Sequence, residues 1–220
     1  MNKINYFKSH VWMRDREYIR EFVNLIALNK HGHALDAGSG SGYVSAEIKP
    51  KVKKLLQIDH DWAMLDRNNL AKHVDTLKAD LSDLWMVGNS TFDYVLSRSV
   101  MHRLKQPGKV YQEFVRILKT GGKLIVSVSQ IPDEHQQEFR HVMKSRGYRL
   151  NLTTKQWRKF FMGDRKMRLV KEGKIFFNLN LNKWGLLKEH KNASQGFKEY
   201  FKFKNGIIEC NHSYFVLEKI

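Results

Sequence analysis

Short apolar runs of strand length recur along the first 128 residues of the chain. They are rich in aliphatic and aromatic residues, and several of them end in an acid, as a buried strand does when it reaches a polar edge. We predict strands at 34–37, 54–59, 75–78 and 91–97 and, after a glycine turn, in the second half of 118–128.

Between these runs, apolar residues recur every three or four positions, which indicates amphipathic helices. One pattern predicts a helix from Asp15 to about Asn29, with Asp15 near its start. Another follows Pro107, a residue that suits the first turn of a helix. Further helices are predicted from Tyr43 to about Lys49, from Asp61 to about Lys72, from Pro132 to about Ser145, and from Thr153 to Met162.

Strands and helices alternate from Ala34 to Val128, an order typical of βαβ units. This predicts an α/β protein with a parallel, doubly wound sheet and a ligand crevice at the carboxyl ends of the strands. Two later segments, 174–179 and 213–218, also have the composition of strands. The segment 181–205 between them matches no motif.

The 220 residues fit a single domain, and 42% of them are hydrophobic, enough for a core without disulfides or metals. No apolar run approaches the length of a membrane span and the first residues lack a signal-peptide core, so we expect a cytoplasmic protein. The single cysteine, Cys210, has no second thiol, and His31 and His33 lack further ligands at metal-binding spacing. We therefore expect no metal.

Three alternating glycines follow the first strand in the pattern Asp36-x-Gly38-x-Gly40-x-Gly42. Such a loop needs glycine where φ is positive or where a ligand approaches closer than a Cβ atom allows. The N–H groups that open the next helix would suit an anionic group. The spacing differs from the dinucleotide fingerprint, because Tyr43 stands where the third glycine is expected. A glycine-rich turn without a ligand is the alternative.

Acids follow the second and third strands at positions that suit a nucleoside. Asp59 ends the second strand, where a carboxylate could accept hydrogen bonds from both hydroxyls of a ribose. Asp80 and Leu81 come soon after the third strand. A series of three acids after three strands favours a bound ligand over a plain turn.

These motifs resemble those of class I S-adenosylmethionine-dependent methyltransferases. The block from Phe92 to Val128 is similar to the type 11 branch of that family, with Thr120 in place of its usual proline. The resemblance implies a Rossmann-like, mostly parallel seven-stranded sheet with an antiparallel C-terminal strand, and S-adenosylmethionine as the cofactor. It implies cofactor binding by Asp36, Gly38, Ser39, Gly40, Gly42, Asp59, His60, Asp80, Leu81 and Ser97.

In the resembled family, the stretch after the fourth strand faces the transferred methyl group, and here it contains Arg98 and His102. His102 could be a general base, if the acceptor must lose a proton, or a structural histidine. Arg98 could bind an anionic acceptor or form a salt bridge. The motif of adenine and cytosine amino-methyltransferases and the Pro-Cys nucleophile of 5-methylcytosine enzymes are both absent, which disfavours those two classes.

The chain is strongly basic, with 39 Lys and Arg against 22 Asp and Glu and a formal net charge of +17. From Asn151 onward, 15 basic residues face 6 acidic ones. The excess favours RNA or another polyanion as the methyl acceptor, and a solvated basic surface explains it equally well. A small-molecule methyltransferase is one alternative function. A non-catalytic methyltransferase-fold module that binds nucleic acid or a partner protein is another.

We interpret the chain as one methyltransferase domain, 1–220, in three parts. Residues 1–30 are predicted to form an N-terminal helical cap and 31–150 the cofactor-binding core. The basic part, 151–220, is predicted to complete the sheet and to shape the acceptor site, with 181–205 as a candidate for acceptor specificity. The sequence predicts no oligomeric state.

Overall fold

The computed structural model describes residues 15–65, 74–134, 136–145, 148–180, 203–205 and 207–220. Its strands are β1 (His33–Ala37), β2 (Lys54–Asp59), β3 (Asp75–Lys78), β4 (Phe92–Arg98), β5 (Leu118–Val128), β6 (Met167–Asn180), β7 (Phe203–Lys204) and β8 (Ile207–Lys219). Its α-helices are α1 (Arg16–Val23), α2 (Tyr43–Ile48), α3 (Trp62–Leu65), α4 (Pro107–Ile117), α5 (Gln136–Ser145) and α6 (Thr154–Met162). Within these described ranges, no helix is long and apolar enough to cross a membrane.

A single sheet joins the strands in the order β3-β2-β1-β4-β5-β8-β6, and the two-residue β7 pairs with β8 beside this path. Neighbours from β3 to β5 are parallel, whereas β8 is antiparallel to both β5 and β6. The chain order reverses between β1 and β4, the kind of point at which open α/β sheets bind their ligands. The predicted fold class is confirmed, including the antiparallel C-terminal strand.

Apolar side chains cover the sheet on both faces. On one face, α4 and α6 contribute Phe114, Trp157 and Phe161, all fully buried. On the other, α1 and α2 contribute Phe22 and Ile48. Because the central strands are covered on both sides, their sequences are near-continuous hydrophobic runs, which made them easy to predict.

The structure has the predicted helix starts for α1, α4 and α6. The Asp15 carboxylate accepts hydrogen bonds from the backbone N–H groups of Glu17 and Tyr18 and so caps α1. Thr153 caps α6 in a reciprocal arrangement with Gln156, in which each side chain bonds the backbone N–H of the other residue. These local bonds fix where each helix enters its layer.

Two helices differ from their predicted bounds. α1 ends at Val23 rather than near Asn29, because the backbone at Asn24 turns out of the helical region (φ −85°, ψ 5°). Leu25 is still buried after the helix has ended, so the apolar periodicity ran past the true end. α5 begins at Gln136, later than predicted. Of the helix predicted from Asp61 to Lys72, the part after Leu65 lies outside the described residues.

The edge and C-terminal strands are longer than predicted. β6 starts at Met167 and β8 at Ile207, whereas the sequence indicated strands from 174 and 213. β6 is an edge strand whose first half exposes Arg168, Lys171 and Glu172, so its hydrophobic signal is weak. In β5, the glycines lie inside the strand as an irregularity, and Gly121 has φ +76°.

The hairpin of β6 and β8 extends past the end of β5. Val128 at the end of β5 pairs with Ser213, and residues 207–212 of β8 continue beyond it, paired with 175–180 of β6. These two segments, which we call the hairpin extension, therefore stand at the carboxyl edge of the parallel strands. The three-part division of the chain stays a prediction, and residues 1–14 and 181–202 lie outside the described ranges.

Candidate active site

The glycine loop between β1 and α2 is held in a conformation that suits glycine. Gly38, Gly40 and Gly42 have φ values of +77°, +54° and +76°. The N–H groups of Gly38 and Ser39 both donate to the carbonyl oxygen of Ile58 at 2.8 and 3.0 Å, which fastens the loop to β2. The loop therefore lies at the carboxyl ends of β1 and β2.

The first two glycines serve different needs. A Cβ atom at Gly38 would lie 2.4 Å from Cγ2 of Val100, so this glycine is required by packing. Among the described residues, a Cβ atom at Gly40 would meet only the end of the Met64 side chain, at 3.3 Å. Gly40 thus faces open space, the arrangement expected where a ligand approaches the backbone.

Asp59 joins the end of β2 to the glycine loop. One oxygen of its largely buried carboxylate accepts a hydrogen bond from the N–H of Gly40 at 2.8 Å, and the other accepts one from the N–H of Asp61 at 3.0 Å. Each carboxylate oxygen has two lone pairs, so the group keeps capacity for hydroxyl donors. His60 is exposed, with Nδ1 at 3.3 Å from the Asp59 carboxylate.

Asp36 is a buried acid at the switch point. Its carboxylate accepts a hydrogen bond from the Ser45 hydroxyl at 2.6 Å. Burial raises the pKa of Asp36 to about 6, against the opposing effects of the Ser45 hydrogen bond and the Arg98 charge. At neutral pH the Asp36 carboxylate is ionised, and the burial of its charge lowers the stability of the folded protein.

The third acid lies on the loop after β3. Asp80 is exposed and accepts hydrogen bonds from the N–H and the hydroxyl of Ser82, both at 2.8 Å, and these bonds lower its pKa. Leu81 beside it is buried. The loop is fastened to α4 by Arg116, whose guanidinium donates to the carbonyl oxygens of Leu84 and Val87, each at 2.8 Å.

Two serines complete the loop side of the site. The hydroxyl of Ser97 donates to the carbonyl oxygen of Ala37 at 3.2 Å and links the ends of β4 and β1. The hydroxyl of Ser39 is buried without a hydrogen-bond partner among the described residues. A buried polar atom in this state is costly unless a ligand or water bonds it.

A buried polar network lies on the other side of β4. The hydroxyl oxygen of Tyr18 lies 2.7 Å from Nδ1 of His212 and 3.2 Å from the Ser127 hydroxyl. The Ser99 hydroxyl lies 3.1 Å from the same His212 nitrogen, and Ser99 has φ +59°, a strained value for a residue other than glycine. α1, β4, β5 and the hairpin extension thus meet at one point.

His212 is neutral in this network. Burial, followed by the positive charges of Arg98 and Arg103, lowers the pKa of His212 to about 3. Burial also raises the pKa of Tyr18 above its usual value. Neither side chain therefore carries a charge near neutral pH, and both act as hydrogen-bonding groups.

Arg98 is the last residue of β4, and His102 lies in the turn that follows the strand. Nδ1 of His102 accepts a hydrogen bond from the N–H of Ser129 at 3.1 Å, so a neutral His102 carries its proton on Nε2. This arrangement favours the structural role, and a role as general base stays a prediction. Arg98 lies with its Cζ atom 5.4 Å from the centre of the Tyr18 ring and interacts with the charge of Asp36.

Sequence reasoning missed Tyr18, Ser99 and His212 as site residues. Tyr18 was placed only on the apolar face of a helix, and His212 lies 194 positions further along the chain. No local motif connects them. The one available signal was the position of Ser99, directly after the fourth strand.

The glycine loop and the strand order agree with the resemblance to class I S-adenosylmethionine-dependent methyltransferases that the sequence motifs carry. Residues 35–126 match the type 11 family model, described as Methyltransferase domain. The resemblance predicted from the sequence, with its type 11-like core, is therefore confirmed. The match covers the segment from β1 to β5.

A curated relative of similar sequence is also named as a methyltransferase. Phosphoethanolamine N-methyltransferase of Triticum aestivum is 28% identical over 142 residues, which cover 61% of this chain and 28% of that protein. The chain spans less than a third of the length of the curated relatives it matches.

Two solved structures share the fold. A candidate methyltransferase from Bacillus halodurans has a TM-score of 0.77 and 18% identity, over 91% of this chain and 97% of that one. Phosphoethanolamine N-methyltransferase 2 of Haemonchus contortus, solved with phosphomonomethylethanolamine and S-adenosylhomocysteine, has a TM-score of 0.69 and 17% identity, over 100% of this chain and 58% of that one.

These findings confirm S-adenosylmethionine as the cofactor of the family that the chain resembles. The residues present fit such a ligand, because Gly40 leaves its approach open and the Ser39 hydroxyl is buried without a partner in the described part of the chain. Which of the predicted residues bind the cofactor stays a prediction. All of them lie at the carboxyl edge of β1 to β4.

Proposed function

We propose that this protein is an S-adenosylmethionine-dependent methyltransferase whose acceptor is a small molecule. The observation that carries the proposal is the bond between Asp59 and Gly40 at the topological switch point of the sheet. The bond holds the Asp59 carboxylate directly beside Gly40, and this position supports a role for Asp59 in binding ribose hydroxyls.

The cofactor supplies an activated methyl group, attached to a positively charged sulfur atom. The protein's main task is alignment, which can contribute on the order of 7–11 kcal/mol. Gly40 admits the ligand, Asp59 and Asp80 accept hydrogen bonds from its nucleoside, and the Ser39 hydroxyl bonds its polar end.

The acceptor side is formed by Tyr18, Ser99, His102 and His212, all buried. A buried set of hydroxyls and neutral imidazoles suits a small acceptor that is enclosed on several sides. The wheat and Haemonchus relatives carry names that refer to a small amine, phosphoethanolamine. Both points support a small molecule over RNA.

RNA remains the second candidate acceptor, favoured by the net charge of +17. Incubation of the protein with methyl-labelled S-adenosylmethionine and fractionated cell extract separates the two. We expect label in the small-molecule fraction for the wild type and little label for the Asp59→Ala variant. Label that enters RNA and is released by ribonuclease would contradict the small-molecule acceptor.

Calorimetry with S-adenosylmethionine tests the remaining alternative, a module that retains the fold without catalysis. We expect binding that the Asp59→Ala variant weakens strongly, whereas the same change at the exposed Asp83 leaves the affinity unaltered. If the wild-type protein does not bind the cofactor, the non-catalytic module is the better description.

A further inference from the structure

The backbone directly after β5 bonds side chains instead of a neighbouring strand. The pairing of β5 with β8 ends at Val128 and Ser213. At the next residue, the N–H of Ser129 donates to Nδ1 of His102, and the Ser129 carbonyl oxygen accepts a hydrogen bond from Nε1 of Trp157, each at 3.1 Å. From this point β8 continues into the hairpin extension without β5.

The side chain of Gln130 spans from the end of β5 to β8. It is buried, and its carbonyl oxygen accepts a hydrogen bond from the N–H of Ser213 at 2.9 Å. Its nitrogen donates to the carbonyl oxygen of Asn211 at 3.4 Å and also to the Asn211 side-chain oxygen. The orientation of the amide is fixed by the two backbone groups, because an N–H only donates and a carbonyl oxygen only accepts.

Both ends of this amide bridge belong to segments that are themselves held in place. On the β5 side, the bonds of Ser129 precede Gln130, and the N–H of Ile131 after it donates to the carbonyl oxygen of Leu152 at 3.0 Å. On the β8 side, the hydroxyl of Ser213 lies 2.9 Å from that of Thr154 at the start of α6. The bridge therefore fixes the hairpin extension relative to β5 and α6.

His212 lies between the two residues that Gln130 bonds. Its Nδ1 atom is 2.7 Å from the Tyr18 hydroxyl oxygen and 3.1 Å from that of Ser99. The bonds of Gln130 to the residues on either side of His212 hold the backbone that carries the imidazole. They therefore set where the ring meets its two hydroxyl partners.

The surroundings of His212 make its position measurable. The groups that face it come from α1, from β4 and the turn after it, and from β6: Tyr18, Arg98, Ser99, His102, Arg103 and Phe177. Burial and the charges of the two arginines hold the pKa of His212 at about 3. A ring that leaves this place regains contact with water, and its pKa then moves toward the ordinary histidine value of 6.5.

We propose that Gln130 is a positioning residue for methyl transfer, which holds His212 on the acceptor side by fixing the hairpin extension. The proposal rests on the proposed function, in which His212 belongs to the acceptor side. Gln130 acts through the strand that carries the imidazole and not by contact with the acceptor.

The variant Gln130→Met removes both bonds and keeps an unbranched side chain of similar length. Gln156→Met is the matched control, because the same substitution deletes a bond to the N–H of Thr153 at the start of α6, away from β8. Nuclear magnetic resonance of the full chain with isotope-labelled histidine follows the His212 ring. Its signals are identified by their loss in His212→Asn.

In the wild type and in Gln156→Met, His212 should show no titration above about pH 5, because its pKa is held low. In Gln130→Met, the titration should move into the range above about pH 5. Transfer of label from methyl-labelled S-adenosylmethionine into the small-molecule fraction of a cell extract should fall about tenfold or more in Gln130→Met, while the affinity for S-adenosylhomocysteine is kept.

An unchanged His212 titration in Gln130→Met would overturn the proposal, and so would methyl transfer that falls no further than in Gln156→Met. If Gln130→Met does not fold, Asn211→Ala removes one bond of the bridge from the other side, and the same two measurements decide. Failure of the proposed function has a different signature, a wild type that transfers no label. The titration then still decides whether Gln130 holds His212 in place.

Discussion

Single residues in the site have distinct tasks that substitution can separate. Gly38 is required by the contact with Val100, whereas Gly40 keeps a path to the backbone open. Asp36 carries a charge whose burial lowers stability, and Tyr18 connects a helix to the last strand of the sheet. Each of these leads to a measurable difference between a variant and its matched control.

We expect Gly40→Val to weaken S-adenosylhomocysteine binding about a hundredfold or more, because the new side chain fills the approach path. Gly121→Val is the control, because Gly121 also has a positive φ (+76°) and no described atom lies within 4 Å of the position of its added Cβ. Gly121 is not one of the predicted site residues. Both variants should lose roughly 1–3 kcal/mol of stability from backbone strain. Calorimetry should show weakened binding only for Gly40→Val, and equal binding by both variants would mean that the loop does not line the cofactor.

Asp36→Asn should remove a pH dependence of folding. Burial raises the pKa of Asp36 in the native state to about 6, whereas in the unfolded chain the group ionises near the ordinary aspartate value of 3.8. Between these values the unfolded state holds fewer protons, so raising the pH favours unfolding. From pH 4 to 7, the free energy of unfolding of Asp36→Asn should rise relative to wild type by on the order of 3 kcal/mol.

Urea unfolding at several pH values measures this difference. The exposed Asp83→Asn is the control, and its difference from wild type should stay constant over the same range. A constant difference for Asp36→Asn as well would show that its carboxylate is not desolvated in the native protein.

Tyr18→Phe should slow methyl transfer beyond what its loss of stability explains. Removal of the hydroxyl deletes its hydrogen bonds to His212 at 2.7 Å and to Ser127 at 3.2 Å, at a cost of about 1–3 kcal/mol. Tyr111→Phe is the control, because it deletes a buried hydroxyl that donates to the Phe161 carbonyl at 2.9 Å, away from the site. The KM for the acceptor should rise only in Tyr18→Phe, and equal kinetics in both variants would contradict a role at the acceptor.

Residues near one another in the sequence were the ones that could be predicted as a site. Asp36 and Asp59 lie at the ends of strands and the glycines come directly after one, and parallel strands bring their carboxyl ends to one edge. The link between Tyr18 and His212 spans nearly the whole chain and has no local pattern. Likewise, the hydrogen bond that sets the proton position on His102 comes from Ser129 in another element.

Among the secondary-structure elements, α4 has a second task besides core packing. Arg116 on its last turn donates to carbonyl oxygens of the loop after β3, and Glu113 accepts the N–H of Leu84 at 2.9 Å. The two side chains are also paired with each other at 2.8 Å. This helix therefore positions the loop that carries Asp80.

Arg116→Ala should loosen that loop. We expect faster hydrogen exchange across residues 82–90 and a severalfold weaker affinity for S-adenosylhomocysteine, because three side-chain hydrogen bonds to the loop are lost. Arg158→Ala is the control, since it breaks an exposed ion pair with Glu172 far from the loop. Unchanged exchange at 82–90 in Arg116→Ala would show that the loop is held by its apolar residues alone.

Element boundaries were predicted well where burial gave a continuous signal, as in β2. They were predicted less well at the sheet edge, where β6 alternates charged and apolar residues, and after α1, where Leu25 stays buried outside the helix. After α1, burial continues beyond the end of the helix, whereas β6 is a regular strand that includes many exposed residues. The hydrophobic pattern alone therefore does not show where the regular structure begins or ends.

At the scale of the whole molecule, the net charge of +17 calls for a test separate from the acceptor. Exposed basic residues such as Lys155, Lys159 and Lys166 lie on α6 and before β6. We expect single-stranded RNA to bind weakly at low salt, with log affinity falling linearly with log salt concentration. Fluorescence anisotropy measures this, and tight binding that persists at physiological salt would favour RNA as the acceptor instead.

The hairpin extension also bears on how the chain is synthesised. In the described part of the chain, β6 pairs with β8 alone, and β8 is inserted between β5 and β6, so β6 cannot join the sheet until β8 has left the ribosome. Until then the apolar edge of β5 has no partner, and an unpaired edge of this kind favours aggregation. A nascent chain can therefore complete its glycine loop early, but it covers the edge of β5 only once β8 has been synthesised.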